Sequence, residues 1–328
     1  MIEEIDANLY KIEIPLPKNP LRAVNSYVIK GSDGNLIIDT GWNQKECLEA
    51  MEAGLAMLGV DIEETDFFIT HLHTDHIGLV SRLATDATTI YISRPDADRI
   101  QSGISWADFV DFARLNGFPE EELQRVPDSH PGFKFRSKEP LRFHLLKEGD
   151  SLDISGYTFR CVETPGHTKG HMCLYEPNKK IFIAGDHILG NITPTILLWS
   201  DEWNPLKEYL ASLDKVYGLD IELVLPGHRG ILRNGKERIQ ELKHHHQERL
   251  EEIVSILGQG SQDAFQVASQ MTWDIVYDSW DLFPVSQKWF ATGEAISHLK
   301  YLEEKGSTRK EMREGKVIFS LNDVLPHH

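Results

Sequence analysis

Short apolar runs separated by polar or glycine-bearing turns recur through most of the chain: Leu9 to Ile14, Ser26 to Ile29, Leu36 to Asp39, Phe67 to Ile69 and Thr89 to Ile92. Beyond Pro140 the rhythm resumes with Leu141 to Leu146, Tyr157 to Val162, Met172 to Tyr175, Lys180 to Ala184 and Ile221 to Leu225. Runs of this length, rich in β-branched and aromatic residues, predict strands. Helical periodicity takes over at Gln44 to Leu58 and again at Pro205 to Tyr217. Strands and helices mixed in this way predict an α/β layered core.

The pattern changes after Gly235. Arg238 to Leu257, Gln262 to Gln270 and Pro284 to Glu304 predict three helices, and a charged segment then leads to the strand-like Val317 to Leu321. That is the element order of a winged-helix module. It places a boundary near residues 232 to 240, dividing the chain into an α/β domain over 1–235 and a helical, winged-helix-like domain over 236–328. Arg94 to Glu139, within an insertion at about 94–140, carries Trp106, Phe109, Phe112, Phe118, Phe133 and Phe135. It reads equally as a lid over a site or as a satellite cluster beneath a long connection.

Composition narrows the class. With 328 residues, 41% hydrophobic and 26% charged, the chain is an ordinary globular one, which excludes extended disorder. It has no apolar run near the roughly 18 residues of a membrane helix, and Glu3, Glu4 and Asp6 stand where a secretory signal would be basic, so a cytoplasmic protein without a membrane partner is expected. Cys47, Cys161 and Cys173 share no C-x-x-C spacing and read as small buried hydrophobes. A net charge of −17 argues against a nucleic-acid partner. The local basic group Lys305, Arg309, Lys310, Arg313 and Lys316 is interleaved with Glu303, Glu304, Glu311 and Glu314 and reads as a solvated surface. His244, His245 and His246 fan around a predicted helix rather than converging, and His327 and His328 carry no assigned role. Homodimerisation is left open.

The concentrated chemistry lies in Thr70-His71-Leu72-His73-Thr74-Asp75-His76. In an extended loop His71 and His73 turn to one side, whereas Asp75 and His76 turn into a neighbouring space if a helix starts there. A single open zinc site needs only three protein ligands, so four potential ligands in one loop point to more than one cation. His167 in Thr164-Pro165-Gly166-His167 and His228 in Leu225-Pro226-Gly227-His228 follow predicted strands, each beside a glycine that lets backbone crowd a metal. Asp186 ends the strand Ile181-Phe182-Ile183-Ala184 at another such corner, where a carboxylate can bridge two cations.

Together with Asp39 in Ile37-Ile38-Asp39-Thr40-Gly41, these residues resemble, in order, the motif series of the metallo-β-lactamase superfamily. The resemblance covers about residues 8 to 232 and implies a four-layer αβ/βα sandwich with a dinuclear site between two sheets. It assigns His71, His73 and His167 to one metal, and Asp75, His76 and His228 to the other, with Asp186 bridging. Asp39 matches the carboxylate that orients a ligand histidine through its ring N–H. Two divalent cations can lower the pKa of a shared water to about 7, creating hydroxide, and polarise a carbonyl or phosphoryl oxygen. Asp75 is the side chain placed to orient that water. Donors without thiolate suit zinc first, with iron or manganese as alternatives, and Asp186 stands where the best-known zinc β-lactamases carry cysteine, which argues against antibiotic hydrolysis.

Within the superfamily the likeness is to hydrolases with a C-terminal winged-helix extension, glyoxalase-II-like and lactamase-β-like. It rests on His167-Thr168-x-x-His171-Met172, on Gly185-Asp186-His187-Ile188-Leu189-Gly190 and on the helix at His244 to Arg249. His171 and His187 flank the ligands as supporting residues. Lys169 stands where many relatives have proline and either holds a substrate anion or faces solvent. The apolar loop from Ile188 to Trp199 either lines an acyl pocket, with Trp199 as a substrate contact, or packs on the helical domain. A metal-dependent hydrolase acting on a small-molecule ester or thioester is the first expectation. A phosphodiesterase or endoribonuclease is the second, and an iron-dependent redox protein the third.

Overall fold

The computed structural model describes residues 1–103, 106–135, 140–274 and 276–322; residues 136–139 of the insertion, and His327 and His328, lie outside the described residues, as does the side chain of Phe133. The chain forms two compact units. The first comprises Met1–Gly103, Pro131–Pro194 and Ser212–Ile239, and the second the described residues of Ile104–His130, Thr195–Ala211 and Gln240–His328. The division is interleaved, unlike the single cut expected at 235, because the aromatic side chains around 106–126 and at Trp199 pack into the core of the second unit.

In the first unit, seven strands form a sheet in chain order: β1 (Ile2–Asp6), β2 (Leu9–Pro15), β3 (Ala23–Lys30), β4 (Asn35–Ile38), β5 (Thr65–Phe68), β6 (Ile90–Ser93) and β7 (His144–Leu146). Pairing is antiparallel from β1 to β4 and parallel from β4 to β7. A second sheet contains β8 (Ser151–Ile154), β9 (Tyr157–Glu163), β10 (Met172–Glu176), β11 (Ile181–Gly185) and β12 (Leu223–Pro226), in the order β12-β11-β10-β9-β8. Side chains alternate along a strand, so each sheet feeds two layers. Leu9, Tyr27, Ile29, Leu36, Ile38 and Phe68 meet Phe159, Cys161, Met172, Leu174, Ile181 and Ile183 in one buried cluster joining the sheets. The intervening Ile12, Val28, Ile37 and Phe67 face the other way, onto Cys47, Met51 and Leu55 of the Lys45–Leu58 helix. Each such aliphatic or aromatic side chain contributes about 1.5–3 kcal/mol on burial.

On the far side, the end of the Pro205–Tyr217 helix is tied to the second sheet. The Ser212 hydroxyl donates to Pro165 O at 2.9 Å, and Lys215 Nζ donates to Glu163 O and reaches Glu148 Oε2 at 2.9 Å. The layers therefore run helix, sheet, sheet, helix, the four-layer sandwich of the sequence expectation. No helix among the described residues is long and apolar enough to cross a membrane.

The strands missing from the sequence reading share one cause. β1 and β8 are sheet edges with the burial pattern of half-solvated strands, and β13 (Thr308–Arg313) pairs with β14 (Lys316–Leu321) in a largely exposed hairpin. Edge strands carry charge on their solvent side, which dilutes the apolar signal.

The second unit contains the Trp106–Leu115, Ala264–Gln270 and Val285–Glu304 helices, most of the Gly235–Leu257 helix, and the β13–β14 hairpin. Asp263 and Gln266 form a reciprocal capping box at the start of the Ala264–Gln270 helix. Trp106, Phe109, Phe118, Leu123 and Val126 cluster with Val285 and Trp289, so this middle part of the insertion belongs to the core of the second unit, whereas Ala97, Ile100 and Phe135 pack in the first. Three basic residues of the terminal segment meet acids: Lys310 pairs with Asp201 and Glu303, Arg313 with Glu311, and Lys316 with Asp263.

The histidine triplet divides. His244 is exposed beside Glu248, whereas His246 is fully buried, its Nδ1 3.0 Å from His298 Nε2. Glu294, one turn before His298, is also buried, and burial, only partly offset by Arg249, pushes its carboxyl up to about 7 from 4.5. A carboxyl whose folded pKa is raised favours the fold while both states hold the proton, and that stability is lost as pH climbs through the window between the unfolded and folded values. Glu294→Gln is therefore expected to raise the melting temperature by about 5 °C at pH 8 and to leave it nearly unchanged at pH 5, measured by calorimetry at both values.

Candidate metal centre

Every residue of the predicted motif series lies at or just after the end of a strand in the first unit. Asp39 follows β4, the Thr70–His76 loop follows β5, His167 follows β9, Asp186 follows β11, and His228 follows β12. A short helix over Thr74–Ile77 begins after His73, giving the change of direction that splits the loop's donors. Asp39 itself adopts φ 58, a left-handed conformation that a short polar side chain tolerates.

The donors converge in overlapping groups. His71, His73 and His167 offer ring nitrogens within 4.8 Å of one another; Asp75, His76 and His228, and likewise His71, His76 and Asp186, offer two ring nitrogens and a carboxylate oxygen within the same distance. Asp186 faces both of the first two groups: Oδ2 lies 3.5 Å from His167 Nε2 and 3.6 Å from His228 Nε2, and Oδ1 lies 3.6 Å from His76 Nε2. Donors about 2.0–2.2 Å from a tetrahedral zinc ion lie roughly 3.3–3.6 Å apart, so this spacing fits metal-ligand sets.

Orientation supports the same reading. His228 Nδ1 donates to Ala23 O at 2.7 Å, and His76 Nδ1 donates to Asp39 Oδ2 at 2.7 Å, which leaves each Nε2 lone pair directed at the centre. Neither Nε2, nor Asp186 Oδ1, has a hydrogen-bond partner although all are buried. Buried polar atoms are rarely left unsatisfied; a cation is the partner that this donor set fits. Asp39 also accepts from Thr70 N–H at 2.9 Å and from Thr70 Oγ1 at 2.8 Å, and that hydroxyl lies 2.9 Å from His71 Nδ1. One carboxylate thus orients rings in both groups.

The electrostatics favour positive charge. Burial opposes a charged His76, but Asp39, Asp186 and Asp75 outweigh it and raise its pKa. Burial likewise opposes charge on Asp75, yet the His76 and His228 rings hold its carboxyl down at about 2. Burial first, and then His167, keep His73 at about 3, so its ring is neutral with a lone pair to give.

Glycine 227 packs into this arrangement. A Cβ there would stand 2.6 Å from Asp186 Oδ1 and 2.8 Å from His76 Cε1. Gly227→Ala is expected to push these donors apart and weaken metal binding about tenfold, read by competition with a chromogenic chelator.

The flanking residues fall into different roles. His171 is fully buried; its Nδ1 lies 2.8 Å from Thr164 Oγ1, and its Nε2 accepts the Asp186 N–H at 3.1 Å, fixing the backbone of the central carboxylate. His187 is also buried, and burial pushes its ring down to about 3. Lys169 is exposed. Trp199, expected as a substrate contact, stacks on Trp289 with ring centroids 3.8 Å apart, and Leu198 N–H donates to Gly293 O at 3.1 Å. That end of the apolar loop packs on the helices of the second unit, the alternative to an acyl pocket. Sequence reading missed Asp96, a carboxylate with no exposure that touches two donor loops. Burial pushes it up to about 6. Its only sequence signal is Ser93-Arg94-Pro95-Asp96 at a helix start, which ordinary helix termini also display.

Fold, donor set and the relatives that the chain matches together support a metal-dependent hydrolase. The chain belongs to the metallo-β-lactamase superfamily, whose family model, "Metallo-beta-lactamase superfamily", matches residues 19–228. It is 26% identical over 304 residues to the Bacillus subtilis (strain 168) protein named "Probable metallo-hydrolase YqjP", covering 89% of this chain and 92% of that one. It is 24% identical to the "Atrochrysone carboxyl ACP thioesterase" of Aspergillus fumigatus over 73% of this chain and 62% of the fungal one. Across several curated relatives the match spans 60–66% of their length. Among solved structures, a metallo-beta-lactamase family protein from Thermus thermophilus superposes with a TM-score of 0.79 at 27% identity, covering 97% of this chain and all of that one.

Proposed function

We propose that this hydrolase holds two divalent cations and uses them to cleave a thioester. The observation that carries the reading is the pair of donor triads, His71/His73/His167 and Asp75/His76/His228, with Asp186 facing both. Such a pair, when bound, lowers the pKa of a water and polarises the carbonyl it attacks. The chain's part is to hold and to orient. Asp39 and the Ala23 carbonyl fix His76 and His228, His171 fixes Asp186, and Asp75, kept anionic, would accept a hydrogen bond from a water at the centre.

No side-chain nucleophile competes for this role among the cysteines. Cys47, Cys161 and Cys173 are buried, and burial pushes the Cys161 thiol up to about 12 and raises the other two. A thioester is the substrate class favoured by the likeness to a named thioesterase, and thiolate is a leaving group that needs little acid assistance. Lys169, two residues after His167, is exposed and is assigned, on this reading, to an anionic part of the substrate. Zinc is the proposed metal for this nitrogen and oxygen donor set, with manganese and iron as the comparisons.

Protein reconstituted separately with each metal should be given acyl-glutathione, acyl-CoA, lactone and phosphodiester substrates. Release of free thiol is the expected result. Cleavage confined to the phosphodiesters would replace the thioester assignment.

A further inference from the structure

Asp96 lies outside the donor set and outside the sequence motifs, in the first turn of the Arg94–Ser102 helix, yet it is completely buried. Its Oδ2 accepts the Leu72 N–H at 2.9 Å and the Thr168 hydroxyl at 2.8 Å, and its Oδ1 accepts the Gly170 N–H at 2.8 Å. Leu72 separates His71 from His73, and Thr168 follows His167 directly. One carboxylate therefore joins the two loops that carry all three histidines of one donor triad. Asp39, by contrast, is bonded to Thr70 and His76.

The contact is close enough to dictate its neighbours. A Cβ on Gly170 would stand 2.2 Å from Ser93 Oγ and 2.6 Å from Asp96 N, so only glycine lets this loop approach the helix start. Three donors aimed at one carboxylate have no other acceptor among these bonds, and charge-assisted bonds of this kind are stronger than neutral ones.

We propose that Asp96 is a positioning residue that sets the geometry, and hence the affinity, of the metal held by His71, His73 and His167, and that it does not act on the Asp75/His76/His228 metal, whose His76 is held by Asp39. The proposal rests on the two-cation reading of the centre. Asp96→Asn preserves shape but turns an amide N–H toward at least one of the donors. It is expected to weaken one of the two zinc-binding steps about 10- to 100-fold, the same step that His73→Ala removes, and to leave the other within about threefold.

The measurement is a zinc-binding isotherm of the full chain against a chelator of known affinity, with the melting temperature of the metal-free protein recorded alongside. A wild-type isotherm without two steps would refute the two-cation reading itself. Two wild-type steps that both survive unchanged in Asp96→Asn, even with a lower metal-free melting temperature, would overturn the role of Asp96 alone. If Asp96→Asn does not fold, Thr168→Val decides: a several-fold weakening of that same step, restored in Thr168→Ser, supports the proposal, and an unchanged isotherm overturns it.

Discussion

Asp186→Ala is expected to lower kcat for the physiological substrate by at least about 10³-fold and to reduce bound metal from two ions to one or none. The carboxylate is 6% exposed and sits within 3.6 Å of His76, His167 and His228 nitrogens that belong to both donor triads. Removing it would take an anion from between the two proposed cations, so their mutual repulsion would no longer be offset and the centre would lose its power to activate a water. Metal analysis of the dialysed variant beside a steady-state assay tests this. Full metal content with full turnover would remove Asp186 from the donor set.

The second large effect is expected at Asp39. Its side chain, 2% exposed, accepts from the Thr70 N–H, the Thr70 hydroxyl and His76 Nδ1. Asp39→Ala strands all three donors in the interior, and losing one partner of a buried charged network costs about 3–5 kcal/mol. Asp39→Asn separates the causes. Asparagine tolerates the φ of 58 at this position, so backbone strain stays small, but its amide N–H2 faces donors where a carboxylate oxygen had accepted. The expected result is metal affinity about 10- to 100-fold weaker, with a smaller loss of melting temperature than in the alanine variant. Equal losses in both variants would mean that the carboxylate serves the fold rather than the rings.

The site was legible because its donors come in short, chemically dense motifs at strand ends. Glycine beside His228 and proline-glycine before His167 mark tight corners, and the Thr74–Ile77 helix begins where the alternation of His71 and His73 gives way. Central strands such as β3, buried on both faces, were equally plain. Legibility failed where one residue does two jobs. Asp96 has the sequence of a common helix start, and its bonds to Leu72, Thr168 and Gly170 span 24 to 74 positions of chain. Trp199 failed for the opposite reason: an aromatic side chain in an apolar loop has no local mark that distinguishes a ligand wall from a core, and Trp289 decides between them.

The interleaving of the two units bears on any attempt to shorten the protein. A chain ended at residue 235 would look like a clean excision of the α/β part, yet it would still carry Trp106, Phe118 and Trp199 while discarding Trp289, the ring against which all three pack. Stripped of that partner, the aromatic surface would be sticky in water. Such a fragment should therefore accumulate as insoluble material even with every metal donor intact, and a workable minimal version would have to be drawn around the packing of these rings instead of around the motifs.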